Sequence, residues 1–124
     1  MISGLGTDII EVSRIREQIL KHPGLKEDLF TGSEIEYCEN KSDKAQHYAA
    51  RFAAKEAFLK ALGTGLRDGM NFKEIEIKKD ELDKPFIVLL GKTLEIYNKL
   101  NIKSIHVSMS HLKDVANAIV IIEK

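Results

Sequence analysis

The sequence predicts an α+β protein with one domain that spans residues 1–124. Segments with apolar residues at helical spacing come early in the chain, whereas segments that alternate apolar and polar residues come mostly late. This division favours an α+β fold over a parallel α/β sheet, in which strands and helices would alternate. The 124 residues contain no linker, low-complexity segment or internal repeat, which fits a single domain.

The first half of the chain is predicted to contain one strand and four helical segments. Ile2–Val12 is rich in β-branched residues and carries two glycines, which suggests a strand with a close backbone neighbour. His22-Pro23-Gly24 would stop the first helix, and Thr31 and Glu34 have the spacing of a capping box. The helical segments expected are Ser13–Lys21, Leu25–Phe30, a helix opened by Thr31 that ends at about Glu39, and a long helix that begins at Ser42-Asp43 and ends at Gly63.

The second half is predicted to contain four strands and one helix. Phe72–Lys78 alternates at period two, as expected of a half-exposed strand, and Asp80–Pro85 has the composition of a turn. The elements expected are the strands Phe72–Lys78, Phe86–Leu90, Ser104–His111 and Val115–Ile122, and the helix Lys92–Leu100 with Leu94, Ile96, Tyr97 and Leu100 on its buried side.

Composition excludes several classes of protein. Lys plus Arg equals Asp plus Glu at 19 each, so no global basic field exists to attract nucleic acid. The longest purely apolar run, Phe86–Leu90, is far shorter than the ~20 residues that span a bilayer. The first ten residues lack the features of a signal peptide, and the single cysteine, Cys38, cannot form an internal disulfide. We therefore expect a soluble, cytoplasmic protein.

Two carboxylates lie where the pattern calls for apolar residues. Asp8 belongs to the apolar strand segment GLGTDII, and Glu56 falls on the apolar stripe of the long helix. A buried, unpaired carboxylate costs several kcal/mol, so each should be paired, at an element end, or on a metal. The structural alternatives are a turn or cap for Asp8 and an exposed ion pair with Lys60 for Glu56.

The end of the long helix suits phosphate groups. Lys55 and Lys60 precede Gly63-Thr64-Gly65, which offers a hydroxyl and exposed backbone amides, although the order differs from that of a Walker motif. Two carboxylates without a histidine–cysteine cluster are typical of a site for Mg²⁺, which keeps waters and binds phosphates. A Mg²⁺ between Asp8 and Glu56, beside Lys60, would neutralise a pyrophosphate.

A polar stripe on Ser104–His111 allows two interpretations. If this segment is a strand, His106, Ser108 and Ser110 line one face, which is either the solvated face or a set of donors for a ligand. A Ser–His–Asp triad could be formed from Ser108 or Ser110, His47 and Asp114, but the sequence contains no nucleophile elbow. A catalytic role for Cys38 is disfavoured in the same way, because no paired base is evident.

The motifs, taken in order, resemble those of a known enzyme family. GLGTDIIEVSRI, FTGSEIEYC, RFAAKEAFLKALGTG, the KPF turn and HVSMSH…ANAIVII resemble the holo-acyl-carrier-protein synthases, the small single-domain branch of the 4′-phosphopantetheinyl transferases. The resemblance implies a fold with one long helix on a mostly antiparallel sheet. It also implies transfer of phosphopantetheine from coenzyme A to a serine of apo-acyl carrier protein, with release of 3′,5′-ADP, in support of fatty acid biosynthesis. The resemblance further implies a homotrimer with sites between subunits.

The resemblance also assigns roles to residues. It makes Asp8 and Glu56 the Mg²⁺ ligands and places Lys60 on the coenzyme A pyrophosphate, so that these three are the catalytic residues. The residues expected at the nucleotide end are Arg51, Gly63 and His106, with Pro85 near the adenine, and those expected to dock the carrier protein are Arg14, Arg16 and Lys21. Two rival functions stay open: a non-catalytic module that binds coenzyme A or the carrier, and a Mg²⁺-dependent nucleotide hydrolase.

Overall fold

The computed structural model describes residues 1–124 and confirms the α+β prediction. The elements in chain order are β1 (Ile2–Glu11), α1 (Val12–Lys21), α2 (Leu25–Leu29), α3 (Gly32–Glu39), α4 (Lys44–Leu62), a 3₁₀ turn (Phe72–Glu74), β2 (Ile75–Lys79), β3 (Pro85–Leu89), α5 (Gly91–Asn98), β4 (Ser104–His111) and β5 (Val115–Glu123). None of the five α-helices has the length and apolar composition needed to cross a bilayer.

All strand pairs are antiparallel. One sheet has the order β1-β5-β4, and the hairpin β2-β3 forms a second. The central strand β5 aligns Ala118 with Asp8 of β1 on one side and with Met109 of β4 on the other. The two chain ends are thus neighbours in the larger sheet, which fixes β1 beside the last strand.

The long helix α4 lies against β1 and β5 at short range. A Cβ atom added at Gly4 or Gly6 of β1 would collide with the carbonyl oxygens of Ala61 and Ala57 on α4. The close backbone approach predicted for the two glycines is confirmed. Small residues on both surfaces allow this contact, because β-carbons at Gly4 and Gly6 would push the helix away from the strand.

Both ends of α4 are capped, and the N-cap is one of the two residues at which the helix was predicted to begin. The Asp43 carboxylate accepts a hydrogen bond from the Gln46 backbone N–H at 3.3 Å, so Asp43 and not Ser42 is the N-cap. The distinction is geometric, because a cap must reach the N–H three residues ahead. At the other end Gly63 adopts φ 80° and donates its N–H to the carbonyls of Leu59 and Lys60, as predicted.

Two details of the second half differ from the prediction. Phe72–Glu74 forms a 3₁₀ turn, capped by the Asn71 side chain, and the strand begins only at Ile75. On α5, Leu94 is 38% exposed, whereas Thr93 is fully buried and hydrogen-bonds to the Glu74 carboxylate through its N–H and its hydroxyl. Ile96, Tyr97 and Leu100 are half-buried, as predicted. Thr93 therefore replaces only Leu94 on the buried face of α5, because Glu74 satisfies its polar groups.

Candidate active site

Asp8 and Lys60 meet between β1 and α4. Asp8 shares the face of β1 that carries Gly4 and Gly6, so its side chain points to α4. The Lys60 Nζ atom lies 3.0 Å from Asp8 Oδ1 and 3.0 Å from the Thr7 carbonyl oxygen. The Asp8 side chain is 17% exposed and that of Lys60 55%, so the ion pair stands at the mouth of a cleft and can reach a ligand.

Glu56 lies one helical turn before Lys60 and lines the same cavity as Asp8. Burial and the negative charge of Asp8 raise the pKa of Glu56, while the ammonium of Lys60 opposes the rise. Two carboxylates therefore share one lysine, and the group carries an excess of one negative charge when both are ionised. The structure brings together the three residues that the sequence predicted as catalytic.

The cavity beside the carboxylates has a volume of about 570 Å³ and mostly apolar walls. Phe52 of α4 and Phe72 of the 3₁₀ turn form one wall, with ring centroids 5.3 Å apart. The other residues that line the cavity are Asp8, Ile9, Ile10, Arg14, Ile15, Gln18, Leu25, Leu29 and Glu56. A charged corner next to an apolar slot suits a ligand with a polar reactive group and a less polar body.

The donor set fits a hard divalent cation. The two carboxylates supply oxygen ligands, and nowhere in the chain do three or more His, Cys, Asp or Glu side chains cluster as a metal cage. Mg²⁺ is usually bound by one or two carboxylates, with water and phosphate oxygens completing its shell. Asp8 and Glu56 are therefore the residues that could bind Mg²⁺ beside a phosphate.

Arg51 and Pro85 line a second, smaller cavity of about 140 Å³. Arg51 is 2% exposed, and its Nε atom is buried without a hydrogen-bond partner. The other residues around this cavity are His47, Ala50, Lys79, Asp83, Met109 and His111. A buried guanidinium with an unused donor suits a bound anion.

Two histidines of this cavity had no predicted role in nucleotide binding. The rings of His47 and His111 are 4.9 Å apart, and His111 Nδ1 lies 2.7 Å from the Gln46 amide oxygen. Burial is the main cause that lowers the pKa of His47 to about 4, and nearby cationic groups, including Arg51, add to it. The candidate donors predicted on this strand, His106, Ser108 and Ser110, lie on its other face, so their pattern did not point to His111.

His106 and Gly63 lie apart from Arg51 and Pro85. His106 is on the outer face of β4, where its Nε2 atom is 2.6 Å from Glu123 Oε1. Gly63 caps α4 twelve residues after Arg51, which corresponds to about 18 Å along the helix axis. Within one chain, the structure does not gather the four predicted nucleotide residues into one site.

Lys55 is not available to phosphate, contrary to the prediction from its place beside Lys60. It is fully buried, and its Nζ atom donates hydrogen bonds to Glu34 Oε1 at 2.9 Å and to the carbonyls of Phe72 and Ile75 at 2.8 and 2.6 Å. All three donors of the ammonium are used, which leaves none for a ligand. The lysine is structural.

The serine and cysteine nucleophiles that the sequence disfavours do not lie in a catalytic arrangement. The Ser110 hydroxyl donates to Asn117, and His47 contacts another histidine and a tyrosine ring, so no serine–histidine–aspartate triad forms. Cys38 is fully buried, and burial raises the pKa of its thiol to about 12. A thiol in this setting is protonated and unreactive.

The three basic residues predicted to dock the carrier do not form one surface. Arg14 lines the large cavity, whereas Arg16 faces another groove and pairs with Asp43 at 3.6 Å. A helix turns by about 100° per residue, which puts Arg16 about 200° from Arg14 but Lys21 only about 20° from it. Arg14 and Lys21 share the face beside the carboxylates, and Arg16 does not.

Comparison with known proteins identifies the family. The model of the 4′-phosphopantetheinyl transferase superfamily matches residues 4–120, so the chain belongs to that superfamily, as its motifs predicted. A holo-[acyl-carrier-protein] synthase of Geobacter sp. (strain M21) is 45% identical over 125 residues, which cover all of both chains. That of Ruminiclostridium cellulolyticum is 53% identical and matches 95% of this chain and 90% of its own.

Solved structures share the fold over nearly all of the chain. The holo-[acyl-carrier-protein] synthase from Neisseria meningitidis superposes with a TM-score of 0.90 at 36% identity, over all of both chains. The enzyme from Helicobacter pylori, solved in complex with coenzyme A, gives 0.82 at 31% identity, over 96% of this chain and 99% of that one.

Proposed function

We propose that this protein transfers 4′-phosphopantetheine from coenzyme A to a serine of apo-acyl carrier protein. The products are holo-acyl carrier protein and 3′,5′-ADP, and the reaction supports fatty acid biosynthesis. Relatives along the full length are holo-[acyl-carrier-protein] synthases, and one similar structure contains coenzyme A. The observation that carries the proposal is the Asp8–Lys60 pair beside Glu56, at one corner of a cavity with apolar walls.

Asp8 and Glu56 would bind Mg²⁺, consistent with their oxygen donors and excess negative charge. When bound, the ion would act as a Lewis acid and stabilise charge on the pyrophosphate of coenzyme A. Lys60, held by Asp8 and the Thr7 carbonyl at the mouth of the cleft, is placed to neutralise the pyrophosphate and then the leaving 3′,5′-ADP. The attacking serine hydroxyl would approach the phosphorus atom that bears pantetheine, in line with the departing oxygen.

The nucleotide end of coenzyme A would bind at the cavity of Arg51 and Pro85, with His111 as an additional contact. The buried, unpartnered Nε of Arg51 supports this assignment, because a phosphate oxygen would satisfy it. Gly63 and Lys60 belong to the other end of α4, so one chain presents the two parts of the ligand site far apart.

A homotrimer with sites between subunits would explain that separation. The face of the β1-β5-β4 sheet opposite α4 exposes three large apolar side chains: Leu5 at 61%, Ile9 at 71% and Ile119 at 42%. A patch of this kind on a 124-residue chain suits contact with further copies of the same chain. His106 lies on this outer face and would be at such an interface.

The acidic carrier protein would dock on the face of α1 that carries Arg14 and Lys21. Both are exposed and lie on the side of the helix that borders the catalytic cavity, so complementary charge there would guide the carrier serine to the carboxylates. Arg16 is left out of this surface because it faces away and pairs with Asp43.

One assay tests the activity and separates the rival functions. The protein is incubated with coenzyme A, Mg²⁺ and apo-acyl carrier protein, and mass spectrometry monitors the carrier for the mass of one phosphopantetheine group. We expect that gain for the wild type, and a loss of about 100-fold or more in rate for Glu56→Gln with the fold intact. Released phosphate or nucleotide without a mass gain would favour a hydrolase. If there were neither a mass gain nor released phosphate or nucleotide, a binding module would be favoured.

A further inference from the structure

Tyr37 of α3 lies against three cationic side chains near the Arg51 cavity. The distances from its ring centroid are 4.0 Å to Cζ of Arg51, 4.5 Å to Nζ of Lys41 and 5.3 Å to Nζ of Lys79. A cation within about 6 Å of an aromatic face is attracted by the ring quadrupole. Two of the three, Arg51 and Lys79, line the cavity itself.

The way in which Arg51 is held is unusual for a buried guanidinium. No carboxylate forms an ion pair with it, and its one hydrogen bond runs from Nη1 to the His47 carbonyl at 3.4 Å. Besides that carbonyl, the Tyr37 ring gives the guanidinium electrostatic support, with its centroid 4.0 Å from Cζ. A charge supported in this way keeps donors free for an anion, whereas a carboxylate partner would occupy them.

The surroundings of Tyr37 are cationic overall. Burial alone would raise the pKa of the Tyr37 phenol, but the adjacent Lys79 and the charges of Arg51 and Lys41 outweigh it and lower the pKa. Asp83 is the only carboxylate that lines the cavity, and it pairs with Lys79 at 3.4 Å. The cluster thus concentrates positive charge around a small, partly enclosed space.

We propose that Tyr37 is a positioning residue for anion binding, whose ring holds Arg51 and Lys79 so that both point to a phosphate of the nucleotide. This inference rests on the proposed function, because the nucleotide is that of coenzyme A. Tyr37 itself touches neither the phosphate nor the reacting atoms. It acts through the two cations.

The test compares Tyr37→Leu and Tyr37→Phe with a matched control, Tyr97→Leu. Tyr97 is also half-buried, but it lies on α5 with no cation against its ring. Isothermal titration calorimetry measures the affinity of each variant for 3′,5′-ADP, which contains the nucleotide end without pantetheine. Steady-state assays give kcat and the KM for coenzyme A and for the carrier, and thermal unfolding confirms that each variant is folded.

We expect Tyr37→Leu to weaken 3′,5′-ADP binding and raise the KM for coenzyme A by about fivefold, the value of one typical cation–π contact. Its kcat and its KM for the carrier should stay within about twofold of wild type, since Arg51 binds the nucleotide and takes no part in the transfer. Tyr37→Phe keeps the ring and should retain most of the affinity, and Tyr97→Leu should bind as wild type does.

Three results would overturn the inference. They are unchanged 3′,5′-ADP affinity in Tyr37→Leu, an equal loss in Tyr97→Leu, and a fall in kcat with no change in KM. The proposed function is judged separately by the mass gain of the carrier with wild-type protein. If the wild type transfers the group and Tyr37→Leu binds 3′,5′-ADP normally, the role of Tyr37 is rejected while the proposed function stands.

Discussion

Replacing Lys55 with methionine should lower the stability of the protein more than the loss of any exposed ion pair. The Lys55 ammonium and the Glu34 carboxylate are both fully buried and 2.9 Å apart. Methionine would fill most of the space of the lysine stem but would donate no hydrogen bonds. The Phe72 and Ile75 carbonyls and the Glu34 carboxylate would each lose the hydrogen bond from Lys55.

The size of the effect follows from what remains around Glu34. Its carboxylate would keep the hydrogen bonds from the Thr31 and Ile77 backbone N–H groups, at 2.9 and 3.0 Å, but no positive charge. Removing one partner of a buried pair costs about 3–5 kcal/mol, because the other charge stays buried and unpaired. For a chain of this length that corresponds to a fall in Tm of about 10–20 °C.

The measurement is urea-induced unfolding at one fixed protomer concentration, because assembly shifts apparent stability. Lys44→Met is the control: it breaks the exposed Lys44–Glu39 pair and should cost no more than about 1 kcal/mol. Adding Glu34→Gln to Lys55→Met should restore part of the stability, since the amide keeps an acceptor without a charge. If Lys55→Met unfolded at the same urea concentration as Lys44→Met, the structural role given to Lys55 would be wrong.

Three further substitutions test other parts of the structure. Gly6→Ala would place a methyl group against the α4 backbone and should cost about 2 kcal/mol or more in thermal unfolding, whereas Gly32→Ala, with open space at its Cβ, should not. Side-chain hydrogen bonds, of which the one from a tyrosine has the largest effect, hold the pKa of Glu39 at about 2, below its ordinary 4.5. The stability advantage of wild type over Glu39→Gln should therefore be full above about pH 5 and shrink as the pH falls towards 2. The measurement is Tm against pH for both proteins, and a difference in Tm that stayed constant over this range would contradict the expectation. Arg14→Glu should raise the KM for the carrier about tenfold and Arg16→Glu much less, and equal effects would refute the division of α1 into two faces.

The order and type of most elements could be predicted because they depend on local chemistry. The capping box of Thr31 and Glu34, the glycine that ends α4 and the alternation of β4 are all set within a few residues. The prediction was wrong where a side chain from elsewhere decided the local structure. On α5, Thr93 is buried in place of Leu94 because its polar groups bind Glu74, and no periodicity within α5 reveals that contact.

The two carboxylates of the candidate site illustrate the same division. Asp8 and Glu56 stood out in the sequence because each interrupts an apolar pattern, and the structure places them in one cavity. Lys55 and Lys60 look alike in sequence, yet they point about 140° apart on the helix, one into the core and one to the cleft. Which lysine is buried depends on where α3 and β2 pack, and this is a tertiary property.

The sequence by itself determined the fold class and the family, and it singled out Asp8, Glu56 and Lys60 as candidates, since patterns of burial and motif spacing lie along the chain. Only the tertiary structure placed His111 with Arg51 and Pro85, set Arg16 apart from Arg14 and gave Tyr37 its three cations. These contacts join residues from different elements, and their geometry depends on how the helices and strands pack against one another. Local physical chemistry forms each element, but packing decides which side chains meet.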